Sequence, residues 1–445
     1  MIIYYTGVSM SSPLSIVILA AGKGSRMKSP KAKVLHEICG REMLYYSIKA
    51  AREITDDVIV VVAHQKDAVI RAMEKHFTGL TFVTQDTENF PGTGGAMMGV
   101  SAKYDDVLVL NGDMPLITKA SIDAFMNSPS DIVMSVIALK NPSGYGRVII
   151  ENSHVVRIVE EKDATFEEKA VQSVNAGVYA FKHHVLQTYL PRLSNANAQS
   201  EYYLTDIIAL ARADNLTITP LFVHEAEFKG VNSKNDLATS EMIMMERLRQ
   251  NWMDAGVIMQ LPHTIYLEEG IKFEGECIIE NGVRLCGNTL IVNSHIKAHS
   301  VIEESVIRNS DIGPMAHIRP LSVIEGTHIG NFVEVKKSTL TGVKAGHLSY
   351  LGDATIDEGS NIGAGTITCN YDGVNKYQTI IGKNVFVGSD TQLVAPVEIA
   401  DNVMIAAGTT VTSGKYESDI LILSRTPIRK IAGFFTKFFG KDLSC

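Results

Sequence analysis

The sequence predicts an α/β domain built on a mostly parallel sheet, then one long helix, then a parallel β-helix. Three observations carry this. Between residues 14 and 219, short Val/Ile/Leu runs alternate with helix-like segments. From residue 233 the apolar spacing turns helical, and after Pro262 the hydrophobic period becomes six.

The first region supplies strands at Ser15-Ile16-Val17-Ile18-Leu19, 58–62, 80–83 and 107–110. Continuous aliphatic strands are expected where helices cover both faces of a parallel sheet, and ligands then sit beyond the strands' carboxyl ends. Functional residues should follow strand ends. Ser233 and Asp236 form a capping-box pattern, Met242, Met245, Leu248 and Trp252 recur at helical spacing, and Gly256 is placed for a C-cap. The methionines read as a packing stripe. In the last region Ile381, Val387, Leu393, Ile399, Ile405 and Val411 repeat at intervals of six, each followed by a mostly small residue. Val385, Thr391, Val397, Val403 and Thr409 stand four residues after the first five. The same register recurs at Ile265, Ile271, Cys277 and Val283, at Ile312, Ile318 and Ile324, and at Ile356 and Ile362. Such a period fits neither an α-helix nor an antiparallel meander, but suits coils whose sides each send one aliphatic inward. Breaks near 288–295, 336–353 and 369–379 read as insertions leaving through the sides.

Composition narrows the function. The 445 residues allow two or three domains, and the net charge of −8 gives no general basic field for nucleic acid or an anionic membrane. Five cysteines without CxxC spacing point to neither a disulfide framework nor a zinc site, and a reducing cytoplasm is expected. No apolar run is long enough for a membrane span, so no stable membrane insertion is expected.

The first strand runs into Leu19-Ala20-Ala21-Gly22-Lys23-Gly24-Ser25-Arg26-Met27. Its backbone N–H groups can approach a phosphate, which Lys23 and Arg26 would neutralise. Neither GxGxxG nor the P-loop pattern fits. Lys33, Gly92-Thr93-Gly94, Asn111-Gly112-Asp113, Gly144-Tyr145-Gly146-Arg147, Glu160-Glu161-Lys162-Asp163, Asn175-Ala176-Gly177 and Gly230-Val231-Asn232 follow in order. In that order these motifs resemble the sugar-phosphate nucleotidyltransferases. The resemblance implies a nucleotide bound by Leu19, Ala20, Gly22, Arg26, Lys33, Gln85, Gly92 and Thr93. It also implies Gly146, Glu160, Asn175 and Asn232 among the substrate-binding residues, with Glu160 and Asn175 on the sugar hydroxyls and acetamido group. Asp113, directly after a buried strand, and Asn232 would hold Mg²⁺. The plainer readings are a loop cap for Asp113, the start of the long helix for Asn232, solvated surface for Lys33 and Glu160, and a turn for Asn175.

The β-helix carries a second polar group: Arg319, Lys336-Lys337, then Gly346-His347-Leu348-Ser349-Tyr350-Leu351-Gly352-Asp353, Asn361 and Cys369-Asn370-Tyr371-Asp372-Gly373. A coil needs only aliphatics and small corner residues, so this density of polar chemistry points to an anion site and a general base. These motifs resemble the left-handed β-helix acyltransferases. Both halves in this order resemble the bifunctional enzymes that join glucosamine-1-phosphate N-acetyltransferase to N-acetylglucosamine-1-phosphate uridyltransferase, over nearly the whole chain. The resemblance implies His347 as base and Arg319, Lys336, Tyr350, Asn361 and Lys376 on glucosamine 1-phosphate. Ala364, Asn370, Tyr371, Ser389, Ala407 and Arg425 would bind acetyl-CoA, with UTP as the other co-substrate and a homotrimer as the assembly. UDP-N-acetylglucosamine, a cell-wall and lipopolysaccharide precursor, would be the product.

The reading divides the chain into an extension 1–13, a uridyltransferase domain 14–232, a linking helix 233–261, a left-handed β-helix 262–425 and a tail 426–445. Met10 is a candidate initiator, the 85–92 loop is longer than the family pattern, Gly95 stands where a histidine is common, and Asn111 replaces a frequent tyrosine. Two rivals stay open: a monofunctional nucleotide-sugar pyrophosphorylase with a regulatory β-helix, and a non-enzymatic scaffold. In the tail, Ile431, Phe434, Phe435 and Phe438 recur at helical spacing among basic residues. Packing on the trimer is favoured there over an anionic membrane.

Overall fold

The computed structural model describes residues 13–159, 161, 164–197, 199–425 and 427–440; Met10 and Glu160 lie outside the described residues. The chain divides into two compact units, one ending at Arg247 and the other beginning at Leu248.

The first unit is built on a nine-stranded sheet. Its strands are β1 (Leu14–Leu19), β2 (Val58–Val62), β3 (Thr81–Thr84), β4 (Asp106–Asn111), β5 (Ile132–Ala138), β6 (Arg147–Glu151), β7 (His154–Val159), β8 (Ser173–Lys182) and β9 (Ile218–Phe222). The main order is β9-β5-β8-β4-β1-β2-β3, with the β6–β7 hairpin attached to β8. β1 pairs in parallel with both β2 and β4, and only β8 runs against its neighbours within the main path. The aliphatic runs expected as strands are therefore strands. Ile16, Val17, Ile18, Val60, Val61, Leu108, Val109 and Leu110 are fully buried, as required when both faces are covered. The chain steps from β1 to β2 and β3 on one side, then crosses back to β4 on the other. Strand order thus reverses between β1 and β4, which opens a crevice at their carboxyl ends.

The long helix spans Lys234–Asp254. Ser233 and Asp236 cap it reciprocally: the Asp236 N–H donates to Ser233 Oγ, and Asp236 Oδ2 accepts from the Ser233 N–H. Gly256, at a φ of 99°, ends it. The expected methionine stripe needs one correction. Met242 is exposed, whereas Met244 and Met245 are buried.

The second unit stacks short strands into three parallel sheets of ten, nine and nine. With its hexapeptide period this is the left-handed parallel β-helix. The aliphatics at the six-residue register are all buried, from Ile265 to Val411, and so are Val385, Thr391, Val397, Val403 and Thr409. Each fully buried aliphatic contributes roughly 1.5–3 kcal/mol relative to exposure. The residue after the inward aliphatic must be small because the next coil passes against it. A Cβ on Gly388 would lie 2.4 Å from the Ala407 nitrogen.

The breaks in period have two causes. Residues paired across coils are eighteen apart at Phe386 and Met404, but sixteen apart at Glu334 and Tyr350. The irregularity at 336–353 is therefore a shortened coil rather than an insertion, and so is that at 288–295, where Leu290 pairs with Val306. Only the break at 369–379 behaves as expected. Ala354 pairs with Thr379, and residues 370–377 leave the coil as a loop closed by Tyr377 N–H donating to the Asn370 carbonyl at 2.8 Å.

Candidate active sites

In the first unit a cavity of about 640 Å³ lies beyond the ends of β1, β3 and β4, lined by residues 19–26, Gln85, Gly92, Thr93, Asp113, Glu201 and Asn232 among others. An adjoining cavity of about 380 Å³ is lined by Tyr145, Asn175, Gly177 and Lys229. Arg26, Lys33, Asn111, Asp113 and Asn232 line both. These five mark the junction.

The glycine-rich turn leaves β1 with the N–H groups of Ala21, Gly22, Lys23 and Gly24 bonded to no other group among the described residues. They are uncommitted donors for an anion. Gly112 N–H donates to the Leu19 carbonyl at 2.9 Å, which fixes the turn after β4 beside the turn after β1 and sets Asp113 at the crevice. Val231 N–H donates to the Asp113 carbonyl at 2.9 Å, bringing Asn232 alongside. Asn232 Nδ2 donates to the Gly230 carbonyl at 3.1 Å, so its Oδ1 faces the cations. There Lys33 Nζ donates to Asn232 Oδ1 at 2.7 Å and pairs with Asp113, and Arg26 Nη2 reaches the same Oδ1 at 2.8 Å. One carboxylate and one amide oxygen thus already share a single cation. No cluster of three His, Cys, Asp or Glu side chains suited to a metal occurs among the described residues. That donor set fits Mg²⁺, which takes one or two protein oxygens and completes its shell with phosphate and water.

Gln85 sits one residue past β3 and donates through Nε2 to the carbonyls of Phe90 and Gly92, each at 2.9 Å. Its Oε1 is left as an acceptor. Gly94 N–H donates to the Tyr202 carbonyl at 2.8 Å and Tyr202 N–H to that of Pro91 at 2.9 Å, while Thr93 Oγ1 accepts from the Leu204 N–H at 3.1 Å. A Cβ on Gly95 would stand 2.0 Å from the Phe90 carbonyl oxygen. The longer 85–92 loop is therefore compatible with glycine at 95 and not with the histidine expected from the family pattern.

On the sugar-phosphate side, an irregularity in β8 between Asn175 and Tyr179 lifts Asn175, Ala176 and Gly177 into the second cavity. Asn175 Oδ1 accepts from the Gly177 N–H at 2.9 Å. Gly146 lines neither cavity; its carbonyl instead accepts the Asn175 N–H at 3.1 Å. Behind it, buried Arg147 reaches Glu161 at 2.5 Å and bonds the Tyr145 carbonyl. The hydrogen bond from Arg147 holds the Glu161 carboxyl below its usual range. Sequence reasoning missed Tyr145, Lys229 and Glu201 as lining residues. Tyr145 lies inside the Gly144–Arg147 motif and Lys229 directly precedes Gly230-Val231-Asn232, and neither side chain carries a separate signal.

In the second unit, coil stacking aligns residues distant in sequence. Arg319 pairs in register with Lys336, Glu334 with Tyr350, and Lys344 with Asn361. Arg319 donates to Glu334 at 2.8 Å. The 369–379 loop returns Lys376 against Lys336; the adjacent Lys376 amino group and burial hold Lys336 below the usual lysine range. Two adjacent amino groups, with Arg319 in register beside Lys336, form a site for a doubly charged anion. His347 follows the strand edge at the exposed corner, and its imidazole bonds to nothing among the described residues. Bonds between turns stack the same corner through Asn331, Leu348, Ala364, Asp390, Ser389 and Gly408. Ala364, Ser389 and Ala407 thus continue along the edge occupied by His347. Asn370 is buried: its Nδ2 donates to Asp353 at 2.5 Å, its N–H donates to the Thr368 carbonyl at 2.9 Å, and its carbonyl holds the loop through Tyr377. Tyr371 and Arg425 are exposed. In the tail, Phe434, Phe435, Phe438 and Phe439 pack against one another, Phe434 on Phe438 and Phe435 on Phe439, and each stays more than half exposed.

Fold and site together define a nucleotidyltransferase domain followed by a hexapeptide-repeat transferase domain. Residues 16–184 match the MobA-like NTP transferase domain, and 378–413 match the bacterial transferase hexapeptide of six repeats. The chain is 66% identical over 428 residues to the bifunctional protein GlmU of Sulfurimonas denitrificans, covering 96% of this chain and 99% of the relative. It is 61% identical over 429 residues to GlmU of Wolinella succinogenes, with the same coverage. GlmU of Nitratiruptor sp. is 60% identical over 428 residues, again covering 96% and 99%. The chain belongs to the bifunctional GlmU family.

Proposed function

We infer that the chain makes UDP-N-acetylglucosamine by acetyl transfer to glucosamine 1-phosphate and uridylyl transfer to the product. The observation that carries the reading is the junction of two cavities at Lys33, Asp113 and Asn232. The full-length relatives set aside both a monofunctional pyrophosphorylase and a scaffold. The proposed domains are 14–232, 233–261, 262–425 and 426–445.

In the uridyltransferase site the larger cavity takes UTP and the smaller takes N-acetylglucosamine 1-phosphate. Gln85 Oε1 accepts the uracil N–H, Gly92 and Thr93 border the base, and the Leu19, Ala20 and Gly22 turn lies on the phosphates. Asn175 and Glu160 hold the sugar, with Gly146 supporting Asn175. Lys33 and Arg26 orient the phosphoryl groups for in-line attack of the sugar-phosphate oxygen on the α-phosphorus, and pyrophosphate leaves. Asp113 and Asn232 would hold Mg²⁺, which supplies charge neutralisation on the triphosphate.

In the acetyltransferase site Arg319, Lys336 and Lys376 hold the phosphate of glucosamine 1-phosphate, and Tyr350 and Asn361 contact the sugar. His347 takes a proton from the 2-amino group as the amino nitrogen attacks the thioester carbonyl; the carbon–sulfur bond then breaks and the protonated imidazole returns the proton to the departing CoA thiolate. Acetyl-CoA lies along the Ala364, Ser389 and Ala407 edge, with Asn370, Tyr371 and Arg425 as further contacts. His347, Ser389, Ala407 and Arg425 are all exposed on a single chain, which supports a homotrimer that closes the site and covers the tail phenylalanines. No helix among the described residues is long and apolar enough to cross a membrane. A cytoplasmic location is proposed.

The test supplies glucosamine 1-phosphate, acetyl-CoA, UTP and Mg²⁺ and follows CoA and pyrophosphate release separately. Both are expected, with pyrophosphate release dependent on acetylation. Release of one alone would overturn the bifunctional reading, and a monomeric mass in sedimentation would overturn the trimer.

A further inference from the structure

The nucleotide cavity is lined by two carboxylates, Asp113 and Glu201. Asp113 is paired with Lys33. Glu201 is different: among the described residues its carboxylate accepts no hydrogen bond and meets no cation, although its backbone is fixed on both sides. The Glu201 N–H donates to Asn197 Oδ1 at 3.2 Å, the Glu201 carbonyl accepts from Asn197 Nδ2 at 2.6 Å, and Tyr202 N–H is held by Pro91 at 2.9 Å. The Glu201 side chain also crowds Gly92: a Cβ built on that glycine would lie 2.9 Å from the Glu201 Cβ. This places Glu201 at the Gln85 and Gly92 end of the cavity, whereas Lys23, Arg26 and Lys33 come from the turns that gather the phosphates.

An unpaired carboxylate is out of place beside a triphosphate, because like charges repel. It accepts hydrogen bonds and donates none, so it needs donors without negative charge. A ribonucleotide offers such donors in its 2′- and 3′-hydroxyls, and the one N–H of a uracil ring is met by Gln85 Oε1 in the reading above. We propose that Glu201 is a specificity residue that binds the ribose hydroxyls of the nucleotide and lets the enzyme distinguish ribo- from deoxyribonucleotides. The proposal rests on the uridyltransferase assignment and adds the group that reads the sugar of the nucleotide.

The test measures kcat/KM for pyrophosphate release by the full chain with UTP, 2′-deoxy-UTP and 3′-deoxy-UTP. A hydrogen bond to a charged group corresponds to about 10- to 100-fold, so the wild type should prefer UTP over at least one deoxy analogue by that factor. Glu201→Gln and Glu201→Ala should lower kcat/KM for UTP by a similar factor and leave the disfavoured analogue nearly unchanged, so the preference collapses. Equal losses on all three nucleotides, an undiminished preference in the variants, or a wild type without preference would each overturn the proposal. A higher Mg²⁺ requirement with the preference intact would do the same, assigning the carboxylate to metal. CoA release reports on folding of the variants. A wild type that releases no pyrophosphate from UTP at all would instead refute the underlying assignment.

Discussion

Lys33 Nζ stands 2.7 Å from Asn232 Oδ1 while it pairs with the Asp113 carboxylate, so one ammonium bridges the two oxygens proposed to take Mg²⁺. The bridge joins residues from the first turns of the domain to the cap of its last helix. Binding a divalent cation there requires Lys33 to withdraw toward the phosphates, where its charge is needed. Asp113→Ala should therefore cut pyrophosphate release by at least about a hundredfold, since metal stabilisation is worth several kcal/mol. CoA release should be unchanged. An undiminished uridylyl transfer rate would place the metal ligand elsewhere.

His347→Ala should have the opposite profile. General-base catalysis supplies about 10²–10⁴-fold, so CoA release should fall by that factor. Uridylyl transfer from supplied N-acetylglucosamine 1-phosphate should persist, because Asp113 and His347 belong to different compact units. Near-normal acetylation in this variant would show that another group takes the proton.

Much of this arrangement was legible in the residues. The fully buried runs of β1, β2 and β4 read as parallel strands because nothing but two covered faces tolerates Val-Leu-Val-Leu continuity. The inward aliphatics of the β-helix were legible for the same reason, as a strict period leaves no other packing. The coil turns were harder. The turns are made in left-handed backbone two or three residues after the inward residue, as at Lys337 after Val335 and Met315 after Ile312, and at Met315, Phe332 and Leu348 a bulky residue occupies the turn, with φ of 56°, 56° and 47°. Local propensity argues against each, at a cost of about 1–2 kcal/mol, and the stacked coil overrides it. Glu201 was illegible because its significance is the absence of a partner, which only three-dimensional placement reveals.

The pH response of the acetyltransferase site follows from the Lys336 and Lys376 pair. The adjacent Lys376 amino group, with burial, lowers the Lys336 pKa from the ordinary lysine value. Lys336 thus loses its proton at lower pH than an isolated lysine, and the charge that binds phosphate goes with it. KM for glucosamine 1-phosphate should begin to rise at a lower alkaline pH than a free lysine would give. Lys376→Met should raise KM at neutral pH, because one cation is gone, yet move the onset of the alkaline rise upward. A variant whose KM profile keeps the wild-type onset would show that the two ammoniums do not act on one phosphate.

Gly95 ties the length of the 85–92 loop to nucleotide binding. A Cβ there would lie 2.0 Å from the Phe90 carbonyl oxygen, which also accepts from Gln85 Nε2 at 2.9 Å. Gly95→Ala must push the loop away or strain the helix that begins at Gly92. Overpacking of this kind costs about 1–3 kcal/mol. If the helix yields, the thermal midpoint of the first unit falls; if the loop yields, Phe90 moves, Gln85 loses an acceptor, and KM for UTP rises with little change in the midpoint. Acetyl transfer should be spared either way. A variant with both the wild-type midpoint and the wild-type KM for UTP would mean that Phe90 does not hold the position against Gly95 on which the geometry of the uracil-binding end depends.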